Sequence, residues 1–125
     1  MKEPKRKLLS DEQILEMLIS KEIVVNFSTQ EVFHNGKLKT PSIVGTEGKN
    51  GTRYRIEIYT PNYRRSIVRA KLIYMAAHRI LIPKGFEIHH VDEDRYNDDP
   101  NNLIMLTKAD HLKLHNKQPT TEVPF

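Results

Sequence analysis

Four histidines lie close together in the last third of the chain, and their spacing suits metal chemistry. His89 and His90 are adjacent, and His115 follows His111 by four residues. Residues i and i+4 of a helix lie on one face, so two imidazoles with this spacing can bind one ion. A third imidazole from a neighbouring strand completes three protein ligands. It also leaves a coordination position open, as a catalytic metal requires.

The adjacent pair predicts two different roles for its members. Neighbouring residues of a strand point to opposite faces, so His89 and His90 are not expected to do the same job. If one of them faces the helix and binds the ion, the other is available to act on a substrate. Imidazole exchanges protons near neutral pH, which makes the second histidine a candidate general base.

Local patterns predict the elements that position these histidines. Residues 87–91 and 103–106 are predicted strands joined by a polar loop, and residues 107–117 are a predicted helix. Thr107 and Asp110 form a T-x-x-D capping box that defines where this helix begins. The cap therefore also determines which face of the helix carries the two later histidines.

Earlier parts of the chain predict further helix and strand. Ser10, followed by acidic residues and an apolar stripe, predicts a helix over residues 11–20. Residues 53–59 alternate between polar and apolar side chains, as a half-buried strand does. Residues 67–82 have a broadly helical distribution of apolar side chains. Together these elements predict an α+β fold.

The two remaining histidines are assigned no function. His34 belongs to a His-Asn-Gly turn signal and is expected to be a surface residue, whereas His78 lies among apolar residues of a predicted helix and is expected to be partly buried.

Composition predicts an intracellular, cytoplasmic globular protein with no membrane partner. Hydrophobic residues make up 38% of the chain and charged residues 29%, which suits a soluble fold. No apolar run approaches the roughly 20 residues that a membrane-spanning helix needs. The absence of cysteine excludes a disulfide framework and a thiolate metal site.

Charge is distributed unevenly along the chain, whose net charge is +4. Between residues 53 and 71 six basic residues stand against one acid, and between residues 87 and 99 six acids stand against one base. The first stretch suits phosphates and the second suits a cation, although two ordinary solvated faces are an alternative explanation. The candidate DNA contacts are Arg53, Arg55, Arg64, Arg65, Arg69 and Lys71.

The order of these motifs resembles that of the HNH nuclease family. H-H-V-D at residues 89–92, N-N-L at residues 101–103 and H-x-x-x-H at residues 111–115 resemble the family's ββα-metal motif in type, order and spacing. The resemblance covers residues 88–116 and extends more loosely toward residue 79.

The resemblance implies a role for each matching residue. His89 takes the place of the first metal ligand, and His90 matches the general base. Asn102 matches the asparagine that orients the loop and thereby the base. His111 and His115 match the ligands on the helix.

The same resemblance implies a metal-dependent DNA endonuclease, a phosphodiester hydrolase that works with one divalent ion. Mg²⁺ or Mn²⁺ is the expected ion, while imidazole ligands also suit Zn²⁺ or Ni²⁺. A free-standing phage or mobile-element enzyme of the homing or nicking type is expected. A restriction or toxin-like nuclease is an alternative, as is a DNA-binding module with a structural metal and no cleavage activity. Both a monomer and a homodimer are compatible with the sequence.

The predicted organisation is a single domain spanning residues 1–125. Residues 1–78 form a part with a small helix and antiparallel strands that carries the candidate DNA contacts. Residues 79–117 form the ββα-metal motif (His-Me finger), and residues 118–125 form a loose tail.

Overall fold

Short strands and three α-helices make up the part of the chain that the computed structural model describes, residues 5–46 and 51–115. Within these ranges, the structure describes only the backbone of Thr46, Gly51, His111, Leu114 and His115. The helices are α1 (Asp11–Ile19), α2 (Arg69–His78) and α3 (Lys108–His115). The strands are β1 (Lys7–Leu8), β2 (Ile23–Asn26), β3 (Glu31–His34), β4 (Lys37–Lys39), β5 (Ser42–Thr46), β6 (Gly51–Tyr59), β7 (Tyr63–Val68), β8 (Phe86–His90) and β9 (Leu103–Thr107).

Helix α1 begins where the sequence predicts. The Ser10 hydroxyl accepts a hydrogen bond from the Gln13 amide at 3.1 Å, and the Gln13 side chain accepts one from the Ser10 amide at 2.9 Å. This reciprocal capping box satisfies two backbone donors that the first turn leaves without helical partners. The helix then buries Ile14 and Met17.

The described strands form two sheets and one separate hairpin, in which nearly all neighbouring strands pair antiparallel. Strands β5, β6 and β7 pair antiparallel, with β1 added parallel to β7, which gives a four-stranded sheet in the order β1-β7-β6-β5. Strands β2, β3 and β4 form a second, antiparallel sheet, and β8 and β9 form a hairpin. The α+β prediction is confirmed.

The alternation predicted for β6 is present, but the predicted helix over residues 67–82 is wrong at both ends. Ile56 and Ile58 are fully buried on the inner face of β6. Ile67 lies opposite Ile56 in β7, so strand pairing continues to Val68 before α2 begins. The β-branched side chains at this junction fit the sheet, and cross-strand packing outweighs their helical spacing.

Helix α2 connects the two cores of the fold. Its Leu72 and Met75 belong to the main core with α1 and the inner face of the four-stranded sheet. Its Ala70 and Ile73 belong to a smaller core that includes Leu103 of β9. The hairpin β8-β9 is therefore held in place through α2. In the described ranges, no helix is long and apolar enough to span a membrane.

The two histidines without assigned function have the reverse of their expected environments. His34 is only 8% exposed, and its Nε2 lies 3.1 Å from the Glu22 carboxylate. His78 is exposed, and its ring lies against Tyr74 with the ring centroids 4.2 Å apart. His34 is buried because its strand register places it opposite Ile23, which is itself buried.

Candidate active site

The hairpin β8-β9 presents its two adjacent histidines on opposite faces. His90 pairs with Leu103 and His89 with Ile104. Leu103 and Ile88 pack toward α2, so His90 shares the face that meets this helix. His89, one residue earlier, lies on the other face of the hairpin. The two histidines therefore point to opposite faces, as predicted, and their separate roles stay a prediction.

His90 is bound to a buried carboxylate. Its Nε2 lies 2.7 Å from Oδ1 of Asp98, a residue that is 1% exposed. The second carboxylate oxygen of Asp98 accepts a hydrogen bond from Nε of Arg69 at 2.8 Å. Burying a carboxylate is costly unless it is paired and hydrogen-bonded, and here both of its oxygens have a partner.

The surroundings of Arg69 link this carboxylate to the four-stranded sheet. The guanidinium lies over the ring of Tyr54 on β6, 4.4 Å from the centroid, and the ring of Tyr96 packs 4.9 Å from that of Tyr54. Gln30 accepts a hydrogen bond from the backbone amide of Asp98 at 2.9 Å. Three separate parts of the chain thus hold one carboxylate in place.

Asn102 closes the loop between the two hairpin strands. Its Oδ1 accepts a hydrogen bond from the Asp92 amide at 3.0 Å, and its Nδ2 donates to Oδ1 of Asp92 and to the Asn97 carbonyl, both at 2.9 Å. The Asn102 carbonyl also accepts from the Val91 amide at 2.8 Å. These bonds hold the loop at Val91 and Asp92, directly after His90, and again at Asn97.

Asp92 is exposed but extensively hydrogen-bonded. The side-chain amide of Asn97, the backbone amide of Asp94 and the side-chain amide of Asn102 all donate to its carboxylate. These bonds stabilise the ionised form, with Asn97 contributing most, and so lower the pKa of Asp92 below its usual value.

The predicted metal ligands are only partly described. His89 is half-buried on β8, and α3 contacts both strands of the hairpin. The Thr107 hydroxyl accepts a hydrogen bond from the Asp110 amide at 3.0 Å, so the predicted cap holds the start of α3. The side chains of His111 and His115 lie outside the described part. Among the side chains that are described, His, Asp and Glu form no group of three ligands.

The donors available nevertheless suit a divalent ion. The elements that carry the three predicted imidazoles, β8 and α3, are in contact. Imidazole is a common ligand of zinc-like ions, and three of them leave positions for water or phosphate. The chemistry of the donor set therefore fits the implied metal.

Arg65, Lys71 and Arg69, all candidate DNA contacts, have acidic partners among the described residues. Arg65 donates to Asp11 at 2.7 Å and to the Leu9 carbonyl at 2.8 Å, and Nζ of Lys71 lies 3.0 Å from Asp11. Arg69 is the partner of Asp98 described above. Partial burial raises the pKa of Asp11, but the hydrogen bonds and charges of its two cationic partners outweigh this effect and lower it overall.

The other three candidates share the outer face of the four-stranded sheet, opposite the buried Ile56 and Ile58. Arg64 pairs with Tyr59 on this face, and Arg55 is steadied by hydrogen bonds to the hydroxyl and carbonyl of Ser66, at 2.8 and 2.9 Å. Arg6 lies over the ring of Tyr59, 5.5 Å from its centroid. We call this set the basic sheet face. Its members are Arg6, Arg53, Arg55 and Arg64.

Sequence reasoning missed the carboxylate beside His90. In the sequence Asp98 is one of six acids in a polar stretch, and nothing in its immediate surroundings separates it from Asp99. Gln30 and Tyr54 were not considered, because they approach the site from elements distant in sequence. Arg6 was missed because the short strand β1 brings it to the sheet edge.

The hairpin β8-β9, the loop closed by Asn102 and the helix α3 form a ββα unit. Residues 73–113 match the family model described as HNH endonuclease. The match begins within α2, earlier than the predicted motif boundary at residue 79. No curated protein matches the chain.

A solved structure described as "DNA binding and cleavage by the HNH homing endonuclease I-HmuI" has a similar fold. The similarity has a TM-score of 0.60 with 21% sequence identity, and it covers 81% of this chain and 55% of that chain. The chain thus spans about half the length of that protein. At this identity the likeness concerns the fold.

Proposed function

We propose that this protein is a metal-dependent DNA endonuclease that hydrolyses phosphodiester bonds with His90 as general base. The observation that carries the proposal is the fixed imidazole of His90, bonded through Nε2 to a buried carboxylate, inside a segment of the HNH endonuclease family. A general base must be held within reach of the proton that it removes, and such an arrangement supplies this.

His89, His111 and His115 are the residues that would hold the ion. When bound, a divalent ion offsets the negative charge that develops on the phosphate oxygens in the transition state. Mg²⁺ and Mn²⁺ are the ions we propose for turnover, and Zn²⁺ and Ni²⁺ are alternatives that imidazole ligands favour.

The residues of the chain account for the proton transfer. His90 removes a proton from a water molecule, and the oxygen of that water forms a bond to phosphorus. The bond between phosphorus and the 3′ oxygen breaks, and this oxygen takes up a proton from solvent. The products are a 5′-phosphate and a 3′-hydroxyl. Asn102 holds the loop after His90 and so limits the positions that the base can adopt.

We propose that the basic sheet face contacts the DNA backbone. Its arginines lie on the outer side of the sheet, where Arg6 and Arg64 are exposed and Arg53 and Arg55 are half-buried. Contacts of this kind give affinity and salt dependence with little sequence information. A homing or nicking role, in a phage or mobile element, agrees with the homing endonuclease named for the similar structure.

The first test is cleavage of supercoiled plasmid and of a pool of random-sequence duplexes, with Mg²⁺, Mn²⁺, Zn²⁺ or EDTA. We expect relaxed or linear product that requires metal. His90→Ala is expected to lower the rate by about 10²–10⁴-fold, the usual contribution of a general base. His78→Ala removes an exposed imidazole of α2 and serves as the matched control.

Binding without cleavage would contradict the proposal. If the wild-type protein retards DNA on a gel yet leaves both substrates intact with every ion, the chain is a DNA-binding module with a structural metal. If His90→Ala cleaves as fast as His78→Ala, another group is the base.

A further inference from the structure

We propose that Asp98 is the positioning residue of His90, and that it selects the tautomer in which Nε2 carries the proton and Nδ1 is the basic nitrogen. This inference rests on the proposed function, because it says which atom of the base acts. The observation behind it is the 2.7 Å contact between Nε2 and the Asp98 carboxylate.

The partners of Asp98 determine the direction of the hydrogen bond. Arg69 carries donors and no acceptor, so its Nε–H must point at the Asp98 carboxylate. An ionised carboxylate paired in this way only accepts hydrogen bonds, and the remaining oxygen therefore takes a proton from Nε2 of His90. The neutral imidazole then has its lone pair on Nδ1. Among the described residues, no group is hydrogen-bonded to Nδ1, which leaves this nitrogen for water.

The carboxylate cannot readily turn away from the imidazole. Asp98 is 1% exposed, its backbone amide is bound by Gln30, and Arg69 is held over the Tyr54 ring. His90 itself is only 12% exposed at its side chain. A buried and fully bonded carboxylate is rigid, which a group that orients a catalytic base needs to be.

Replacing the carboxylate by an amide gives a sharp test. In Asp98→Asn, the amide must turn its oxygen to Arg69, because a guanidinium can only donate. Its NH₂ group then faces His90 and donates to Nε2. We therefore expect the tautomer to reverse, with the proton on Nδ1 and the lone pair facing away from water, much as the corresponding change misplaces the tautomer in serine proteases.

The tautomer is measured directly by long-range ¹H–¹⁵N NMR of the ¹⁵N-histidine-labelled full chain, at a pH at which every imidazole is neutral. The His90 signals are assigned by their loss in His90→Ala. We expect a protonated Nε2 and an unprotonated Nδ1 in the wild type, and the reverse in Asp98→Asn. Asp99→Asn is the matched control, because Asp99 accepts from the Asn101 amide and does not contact His90.

Cleavage kinetics supply the functional measurement. Asp98→Asn is expected to lower kcat by about 10²–10⁴-fold with little change in KM, whereas Asp99→Asn stays near wild type. Asp98→Glu keeps the charge and is expected to retain the wild-type tautomer and recover part of kcat. If the amide spectrum of Asp98→Asn shows that this variant does not fold, Asp98→Glu is compared with the wild type in its place.

A wild-type His90 protonated on Nδ1, or a tautomer that is the same in wild type and Asp98→Asn, would overturn the inference. Because the NMR experiment needs no cleavage, its failure is distinguishable from failure of the proposed function. If His90 has the expected tautomer but the protein has no nuclease activity, the proposed function is refuted, while the hydrogen bond from Nε2 to Asp98 is confirmed.

Discussion

At the scale of single residues, the site depends on polar groups that fix one another. Asp98 holds the ring of His90, while Asn102 holds the loop that leads away from it. In the described part of the chain no hydrogen bond joins their side chains, so the His90 ring and the loop are positioned by separate sets of hydrogen bonds. We expect removal of either set to slow cleavage, in one case through the orientation of the His90 ring and in the other through the position of the loop.

The first residue-scale prediction concerns Asn102. Asn102→Ala removes three side-chain hydrogen bonds, two of them to Asp92. At about 1 kcal/mol each, this amounts to about 2–3 kcal/mol of loop stability. We expect faster hydrogen exchange of the Asp92 amide and slower cleavage with metal affinity retained. Asn101→Ala is the control, because Asn101 is exposed and only its backbone amide is bonded. Unchanged protection of the Asp92 amide would contradict this role.

At the scale of elements, α2 is the part that joins the fold to the site. One side of the helix packs in the main core and another side packs against the hairpin. Its first residue, Arg69, supports the buried carboxylate, while Lys71 turns to Asp11 at the start of α1. Basic residues that look alike in the sequence therefore serve different contacts.

The ion pairs of Asp11 give the element-scale prediction. Asp11 connects α1 to β7 and α2 through Arg65 and Lys71. Its pKa is lowered in the folded protein, so its stabilising contribution is present above the unfolded value of 3.8 and is lost as pH falls through the lower folded value. Asp11→Asn should therefore reduce the free energy of unfolding at neutral pH, by about 1 kcal/mol for a partly exposed pair.

Urea unfolding at several pH values tests this expectation. The wild type and Asp11→Asn should differ at pH 7 and converge as the solution is acidified below the folded pKa of Asp11. Glu12→Gln controls for loss of a negative charge in the first turn of α1, since Glu12 is exposed. A constant difference between wild type and Asp11→Asn down to low pH would argue against a stabilising ion pair.

At the scale of the whole molecule, the basic residues form two groups. One group makes ion pairs within the fold, and the other lies on the surface of the four-stranded sheet. Arg65, Arg69 and Lys71 bind acids of the chain, whereas the arginines of the basic sheet face lie on the outer side of the four-stranded sheet. The hairpin with His90 and the four-stranded sheet both contact α2.

Salt dependence of DNA binding supplies the whole-molecule prediction. Arg64→Ala removes an exposed charge from the basic sheet face, and we expect weaker binding to all sequences. The slope of log affinity against log salt should fall in magnitude by about 1. Arg64→Lys should keep most of the slope. Lys37→Ala removes an exposed charge from the other sheet and is the control. Equal effects of Arg64→Ala and Lys37→Ala would mean that the basic sheet face is not the contact surface.

Much of the fold was predictable because it depends on local patterns. The capped helix α1, the alternating strand β6 and the turn between β3 and β4 all follow from neighbouring residues. The end of β7 and the start of α2 were not predictable, because Ile67 suits either element until its partner across the sheet is known.

The sequence by itself predicted the kind of chemistry, since the order of the histidines and the asparagine resembles one family pattern. It also placed His89 and His90 on opposite faces of a strand, because strand neighbours point opposite ways. The tertiary structure decided which groups support them. Asp98, Arg69 and Gln30 are far apart in the chain, and no local pattern distinguishes a buried carboxylate from an exposed one. Burial and pairing are properties of packing, so only the folded chain shows that one acid among six is bonded to His90.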